Sequence, residues 1–444
     1  AAQPMARIEF APLDLRSLHE RLAQSGTDLV GELRRRIPKW LSEPDNRPTR
    51  LKSRLAMIFR IPIVHPVEGA TRATSTVAFV SEQTLGEVGE SLGVLLRDGT
   101  GDNPESHVIG IIPGPERTED VALRMALVHR SFDGGLAADL ANHSSTSLQT
   151  VAVVGGGAIG SGVAECLVRE GFFKTWIIID NDTFLPHNEA RHTLTSSDVG
   201  LDKAVALAQR LRLIRPDIEA SAVVDEVPGL EADAALNRAA VIVDASASVP
   251  VARYLSDYAA KGRLLSVFFN PSGTAAVILV EDTAKAEDLR ALEAVYHRAI
   301  QTDLALHHHL DVPGMLPYAG ACRTLTSRIP ASRAISLSGL VANAIPRALS
   351  EDSATIRIWT MSEDGSVTVT APAVGSTKLA FGAWTVVLPR SLSDALRNER
   401  DRHAPSETGG ALLGIVDIER NRVDIVDALT APPDSVGTPT EFVR

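Results

Sequence analysis

The chain has 444 residues, 44% of them hydrophobic and 22% charged, which excludes a long disordered protein and leaves room for two to four domains at roughly 100–200 residues each. Its net charge of −11 makes non-specific nucleic-acid binding a poor expectation, and no apolar stretch approaches the ~20 residues of a membrane span. Two cysteines exclude a disulfide framework and a four-cysteine zinc site. Residues 1–10 lack the basic-then-apolar order of a signal peptide, and the first residue is not Met, which reads as a trimmed chain and a cytoplasmic protein.

Four regions follow one another. In residues 1–145, Leu18, Leu22, Leu29 and Leu33 recur at roughly helical spacing and predict a helical stretch over 15–41. Strand-like runs follow at 56–64, 76–80 and 107–112, and no motif here translates into chemistry. After a polar linker at 142–147, strand and helix alternate. Strands are expected at 150–154, 175–179, 220–224, 240–243, 264–269 and 274–280, with helices at 158–170, 203–214 and 249–261. Short apolar strands separated by helices imply an α/β fold with a mainly parallel sheet covered on both faces. Residues 284–353 read as mostly helical, with a small-residue helix at 331–349. Residues 355–444 turn strand-rich again around a helix at 391–402. His307, His308 and His309 are adjacent, so on a helix they point in different directions, and the run reads as a solvated face.

The strongest motif is the loop holding Gly155, Gly157 and Gly160, which follows a strand and opens a helix. Glycines there permit a tight turn and close approach to a phosphate, and the helix N-terminus offers N–H groups and partial positive charge. Asp180 ends the next strand, where a carboxylate reaches ribose hydroxyls. This pattern indicates a nucleotide without saying which one. Downstream stand Asp182, Asn188, Arg191 and Lys203, and Asp244 follows a later strand. A cationic cluster has little use in hydride transfer. It suits attack on the α-phosphate of ATP, where Arg and Lys stabilise departing pyrophosphate and a carboxylate holds magnesium.

This ordered set resembles the adenylation fold shared by the ThiF/MoeB sulfur-carrier activators and ubiquitin-activating enzymes. The resemblance covers about 130 residues and implies a Rossmann-like domain that uses ATP and Mg2+. It implies that Asp180 binds the ribose, that Asn188, Arg191 and Lys203 grip the phosphates, and that Asp244 is the metal-side carboxylate, with Asp182 as its alternative. The family usually shows Asp-x-x-Asp-Asn after the fourth strand. Here Ala247 replaces the second Asp, and His192 stands where a Gln usually follows the Arg.

Cys166 lies among Val163, Ala164 and Leu167 and reads as a core residue. Cys322 sits in a small-residue segment beside Arg323, which favours a thiolate. The resemblance places a thioester-forming cysteine of bacterial conjugation systems in this stretch, so Cys322 is the candidate nucleophile, with Arg191 and Glu407 as the other catalytic candidates. Glu407, in Glu-Thr-Gly-Gly-Ala-Leu-Leu-Gly, resembles the early Glu that activates zinc-bound water in JAB/MPN metallo-isopeptidases. No histidine follows it, so Zn2+ is expected only where a complete JAB domain is present.

The resulting expectation is an N-terminal α/β domain (1–145), partner-binding or an inactive adenylation-like half. A ThiF-type domain with the cysteine segment (146–353) and a partial α+β JAB-like domain (354–444) follow it. Such fusions resemble those of bacterial ubiquitin-like conjugation operons, some of them antiphage. The expected partners are a ubiquitin-like protein, a conjugating-type enzyme and a second copy of the chain, with no nucleic acid and no membrane. Three alternatives stay open: a sulfur-carrier activator that stops at the acyl-adenylate, an NAD-dependent oxidoreductase, and a nucleotide-binding scaffold.

Overall fold

The computed structural model describes residues 11–42, 46–64, 71–97, 107–109, 116–143, 147–258, 262–312, 316–317, 325–326, 328–443. They fall into two compact units, 1–130 and 131–444. The first contains α1 (Leu15–Ala23), α2 (Leu29–Trp40), α3 (Arg47–Lys52), β1 (Arg54–Val64), β2 (Thr71–Thr84), α4 (Leu85–Ser91), β3 (Leu95–Arg97), β4 (His107–Ile109) and β5 (Leu123–Leu127). The single helical stretch expected over 15–41 is two helices. Gly26 takes φ +84 between them, and the Asp28 carboxylate caps α2 by accepting the Gly31 N–H at 2.9 Å. Strands β1, β2 and β5 form an antiparallel sheet whose Met57, Phe79 and Leu123 bury against Leu18, Leu33 and Ile37.

The second unit runs α5 (Gly134–Leu140), β6 (Ser147–Val154), α6 (Ala158–Arg169), β7 (Phe173–Ile179), α7 (Lys203–Ile214), β8 (Glu219–Val223), α8 (Leu230–Leu236), β9 (Val241–Asp244), α9 (Val249–Asp257), β10 (Arg263–Phe269), β11 (Ala275–Val280) and α10 (Leu289–Thr302). It continues with β12 (Leu316–Pro317), β13 (Leu325–Thr326), α11 (Ala331–Ser350), β14 (Thr355–Met361), β15 (Val367–Thr370), β16 (Ser376–Phe381), β17 (Trp384–Pro389), α12 (Arg390–His403), β18 (Gly410–Asp417), β19 (Arg422–Thr430), β20 (Val436–Gly437) and β21 (Phe442–Val443). An eight-stranded sheet in the order β15-β14-β11-β10-β9-β6-β7-β8 forms its centre. Strands β10, β9, β6, β7 and β8 are parallel, whereas β11, β14 and β15 extend the sheet antiparallel.

Both faces are covered, as the continuous apolar strands require. Val151 and Val153 of β6 face α6, α7 and α11, while Ala152 and Val154 face α8, α9 and α10. Each fully buried Val, Leu or Ile contributes about 1.5–3 kcal/mol. The fold is thus the expected α/β architecture with a mainly parallel sheet. Strands β14 and β15, which lie beyond residue 353, are hydrogen-bonded into this sheet.

A second sheet, ordered β16-β17-β19-β18, lies against α10. Charge pairs line that contact. Arg290 reaches Asp257 at 2.5 Å and Asp417 at 2.8 Å, Arg298 pairs with Asp427, and Arg422 binds Asp288 and Asp424, each at 2.8 Å. The histidine run corrects its sequence reading. His307 and His308 are exposed, but His309 is buried, with its Nε2 2.9 Å from the Tyr296 hydroxyl. A 3-10 turn at Leu304–Leu306 tucks the third ring beneath α10 rather than leaving it in water.

Glu281 follows β11 and is 2% exposed. Its Oε1 accepts the Leu289 N–H at 3.1 Å, while Oε2 is buried without a hydrogen-bond partner. Burial pushes the carboxyl up to about 7 from an ordinary 4.5, with the Leu289 N–H and Lys285 opposing the shift. The folded state therefore holds this proton more tightly than the unfolded chain. Its stabilisation is complete below pH 4.5 and is lost as pH rises through about 7. Thermal unfolding should show Glu281→Gln more stable than the parent at pH 8, by about 3 kcal/mol, with the gain vanishing near pH 4.5.

Candidate nucleotide site

The loop between β6 and α6 sits where two neighbouring strands end. Val154 of β6 stands beside Asp244 of β9 in the parallel register, so the turns that leave them meet. Gly155 takes φ +93, and a Cβ there would lie 2.7 Å from the Ser246 backbone. A Cβ on Gly160 would lie 2.0 Å from the Gly155 carbonyl oxygen and 3.2 Å from the Ala245 Cβ. These two glycines bring the loop, the first turn of α6 and the β9 turn into contact. Gly157 differs: its Cβ position has nothing within 4 Å. Its carbonyl accepts the Ser161 N–H at 2.8 Å and starts the helix. Among the described residues, the amides of Gly157, Ala158 and Ile159 have no backbone acceptor outside the helix, the arrangement that suits an anion at a helix N-terminus.

Asp180 follows β7 and anchors this loop. Its Oδ2 accepts the Gly156 N–H at 2.6 Å and its Oδ1 the Asp182 N–H at 2.8 Å. Burial raises its carboxyl above the usual range, against those two N–H groups and the Lys203 charge. Lys203 opens α7 with its side chain mostly buried, and its Nζ lies 2.7 Å from Oδ2 of the exposed Asp182. The positive charge is thus held at the loop by a carboxylate that water also reaches.

Asn188 and Arg191 lie in the 3-10 turn Pro186–Arg191. The Asn188 Oδ1 accepts the Leu185 N–H at 2.9 Å and its Nδ2 lies 3.2 Å from the His187 ring, so its side chain shapes the turn itself. The Arg191 guanidinium is half-buried, which pulls it below its ordinary value. After burial, the Arg191 and Lys203 charges are what lower His187, so both cations bear on one neighbourhood.

Asp244 ends β9 at 2% exposure, its Oδ1 accepting the Ser246 N–H at 3.0 Å and the Ser246 hydroxyl at 2.6 Å. Burial raises its carboxyl, and the Ser246 contacts oppose the shift. Ala247 adopts φ 53, a left-handed conformation that costs a non-glycine residue on the order of 1 kcal/mol and is concentrated at functional turns. No three His, Cys, Asp or Glu side chains converge into a metal cage among the described residues. Magnesium in a nucleotide site takes one or two carboxylates and completes its shell with phosphates and water. The carboxylate chemistry of Asp244, beside the glycine loop, fits that demand.

The structure therefore gathers Gly155, Gly157, Gly160, Asp180, Asp182, Lys203 and Asp244 around one loop. Glu407 is exposed between α12 and β18 on the other sheet, its N–H donating to Thr438 at 2.7 Å. Cys322 lies outside the described residues. Cys166 is half-buried against the core, and burial raises its thiol. Sequence reasoning missed the contacts of Ser246 and of His192. For His192 a signal existed in its replacement of a family Gln.

Residues 138–303 match the ThiF family model. That span holds the glycine loop and every gathered carboxylate and cation, and ends before Cys322. The ATP-dependent ubiquitin transferase-like protein Cap2 of Vibrio cholerae is 30% identical over 202 residues, covering 41% of this chain and 34% of that protein. Cap2 of Pseudomonas aeruginosa is 28% identical over 158 residues, covering 35% and 28% respectively. The matched stretch spans about a third of the length of these curated relatives. Among solved structures, Escherichia coli MccB with AMPCPP and MccA is similar over 54% of this chain and 66% of that one, at 18% identity and TM-score 0.38.

The two kinds of glycine should separate on substitution. Gly160→Ala forces a methyl group against a backbone carbonyl and should lower the melting temperature sharply or prevent folding. Gly157 already has φ −72, so Gly157→Ala should melt like the parent, while calorimetry reads ATP affinity at least tenfold weaker.

Proposed function

We propose that the chain activates the C-terminus of a ubiquitin-like protein by adenylation. A carboxylate oxygen of the partner attacks the α-phosphorus of ATP, the bond to the β-phosphate breaks, and acyl-adenylate and pyrophosphate form. The observation that carries this reading is the pairing of an anion-ready loop with Lys203, set on Asp182 at 2.7 Å. The ThiF match over 138–303 and the printed names of the Cap2 relatives support it.

In this reading the amides of Gly157, Ala158 and Ile159 bind phosphate oxygens and Asp180 takes the ribose hydroxyls. Lys203 and Arg191 offset the charge that grows on departing pyrophosphate, and Asn188 shapes the turn that carries Arg191. Asp244, with Asp182 as its alternative, would hold Mg2+, which would supply further charge neutralisation at the phosphates. The thiolate of Cys322 then attacks the acyl carbon, AMP leaves, and the thioester passes to a conjugating-type enzyme. We further propose that residues 1–145 bind a partner, that the adenylation region extends through β15, and that residues 376–443 are part of a JAB-like domain. In a complete domain of that kind, Glu407 serves beside Zn2+. The assembly we expect is a homodimer. A second reading, a nucleotide-binding scaffold, draws on Ala247, which removes a carboxylate at the β9 turn.

ATP–pyrophosphate exchange driven by a candidate ubiquitin-like protein tests the proposal. Lys203→Ala and Arg191→Ala should each lower exchange about 100-fold, on the order of 3 kcal/mol of transition-state stabilisation. Cys322→Ala should keep exchange and lose a thiol-sensitive adduct on a non-reducing gel. An adduct that survives Cys322→Ala would leave a sulfur-carrier-type activator. ATP binding without exchange, using a verified partner, would leave the scaffold. NAD binding indifferent to Lys203 and Arg191 would overturn both.

A further inference from the structure

His192 touches the nucleotide loop at Gly156. Its Nδ1 accepts the Leu194 N–H at 3.1 Å, so in the neutral ring the proton sits on Nε2. That Nε2 lies 2.5 Å from the Gly156 carbonyl oxygen and donates to it. The ring is held edge-to-face on the fully buried Phe184, with centroids 5.1 Å apart. On the other side of the same residue, the Gly156 N–H is taken by Asp180 at 2.6 Å. Both polar groups of Gly156 are therefore committed, one to a carboxylate and one to an imidazole.

The Gly156–Gly157 peptide is trans, and a trans peptide points its C=O and N–H in opposite directions. A carbonyl fixed on His192 turns the Gly157 N–H away from His192, and the Cβ position of Gly157 faces unfilled space. Glycine on both sides of this peptide makes the reverse orientation sterically easy. Flipped, the unit would present a carbonyl oxygen to an incoming phosphate and repel it.

We propose that His192 is a positioning residue that locks the Gly156–Gly157 peptide in its anion-binding orientation. The ring's orientation rests on its neutral form: protonation of Nδ1 would remove the acceptor for Leu194, although Nε2 would still donate to Gly156. The surroundings keep it neutral. Burial lowers the imidazole to about 4 from 6.5, and the charges of Lys203 and Arg210 on α7 act in the same direction. The Gly156 carbonyl and Asp198 pull the other way. Asp180, on the N–H side of Gly156, accepts that N–H at 2.6 Å.

The inference deepens the proposed ATP site and rests on that reading for its nucleotide. Two near-isosteric substitutions separate the ring's contacts. Gln extends an amide N–H toward the Nε2 position, whereas Asn offers an oxygen near Nδ1 and falls short of Gly156. By calorimetry with Mg-ATP, His192→Gln should bind within about threefold of the parent and His192→Asn at least tenfold more weakly. Melting temperatures of the two variants should be alike. Equal affinities for the two folded variants would overturn the lock. Nitrogen-15 NMR of the intact parent gives a second reading that needs no variant. The His192 ring should show a protonated Nε2 and an unprotonated Nδ1 from pH 6 to 8, and the opposite tautomer or an imidazolium would also overturn the proposal. If the parent shows the expected tautomer yet binds no ATP, the nucleotide reading fails and the peptide lock stands, which keeps the two failures distinguishable.

Discussion

The close approach of the loop after β6 to the turn after β9 is the contact on which the site depends. It exists because two side chains are missing. With Gly155 within 2.7 Å of the Ser246 backbone at its absent Cβ, and Gly160 within 2.0 Å of a carbonyl oxygen, no larger residue fits without parting the two strand ends. Parting them would separate Asp244 from the loop and lift the first turn of α6 from Ala245. The core serves the same end: α6, α7 and α11 press on one face of the sheet and α8, α9 and α10 on the other, so β6 and β9 have no freedom to drift apart.

Charge at this site is arranged by burial as much as by pairing. The chain is acidic overall at −11, yet Lys203, Arg191 and Arg210 all act on the rings beside the loop. Asp180 and Asp244 are both raised by burial, and each is steadied by N–H or O–H donors rather than by a full ion pair. A carboxylate held by neutral donors keeps lone pairs directed outward for hydroxyls or a cation. Lys203 pairs with the exposed Asp182 at 2.7 Å, a partner that water already solvates, so a phosphate can compete for its charge.

The region from 150 to 280 was readable because each buried parallel strand is a short apolar run bounded by polar or glycine residues. Helix α7 starts at Lys203 and ends at Ile214, the limits its periodicity predicts. Strand direction was not readable. Nothing in the composition of β11 distinguishes an antiparallel partner of β10 from another parallel strand. The sequence could not show that β14 joins the large sheet, carrying β15 with it, since β14 pairs with a strand some 80 residues away. His309 was misread because a helical projection does not describe the turn that follows the 3-10 segment. In the site, glycine spacing and the carboxylates were legible as motifs. The service of His192 to Gly156 was not, because a single imidazole carries no periodic signal and its partner is a backbone atom 36 positions away.

Helix α10 has two unlike sides. Leu292, Val295 and Tyr296 bury in the core beneath the large sheet, whereas Arg290 and Arg298 grip aspartates of the smaller one. The two attachments therefore fail differently. An apolar contact weakens in steps as its side chains shrink, whereas a buried arginine that loses its aspartate is left as an uncompensated charge. Arg290 is 3% exposed, so its loss of Asp417 would be felt at once by α10 rather than absorbed by water. The seam at Arg290, Arg298 and Arg422 thus makes the join between the two sheets an all-or-none contact.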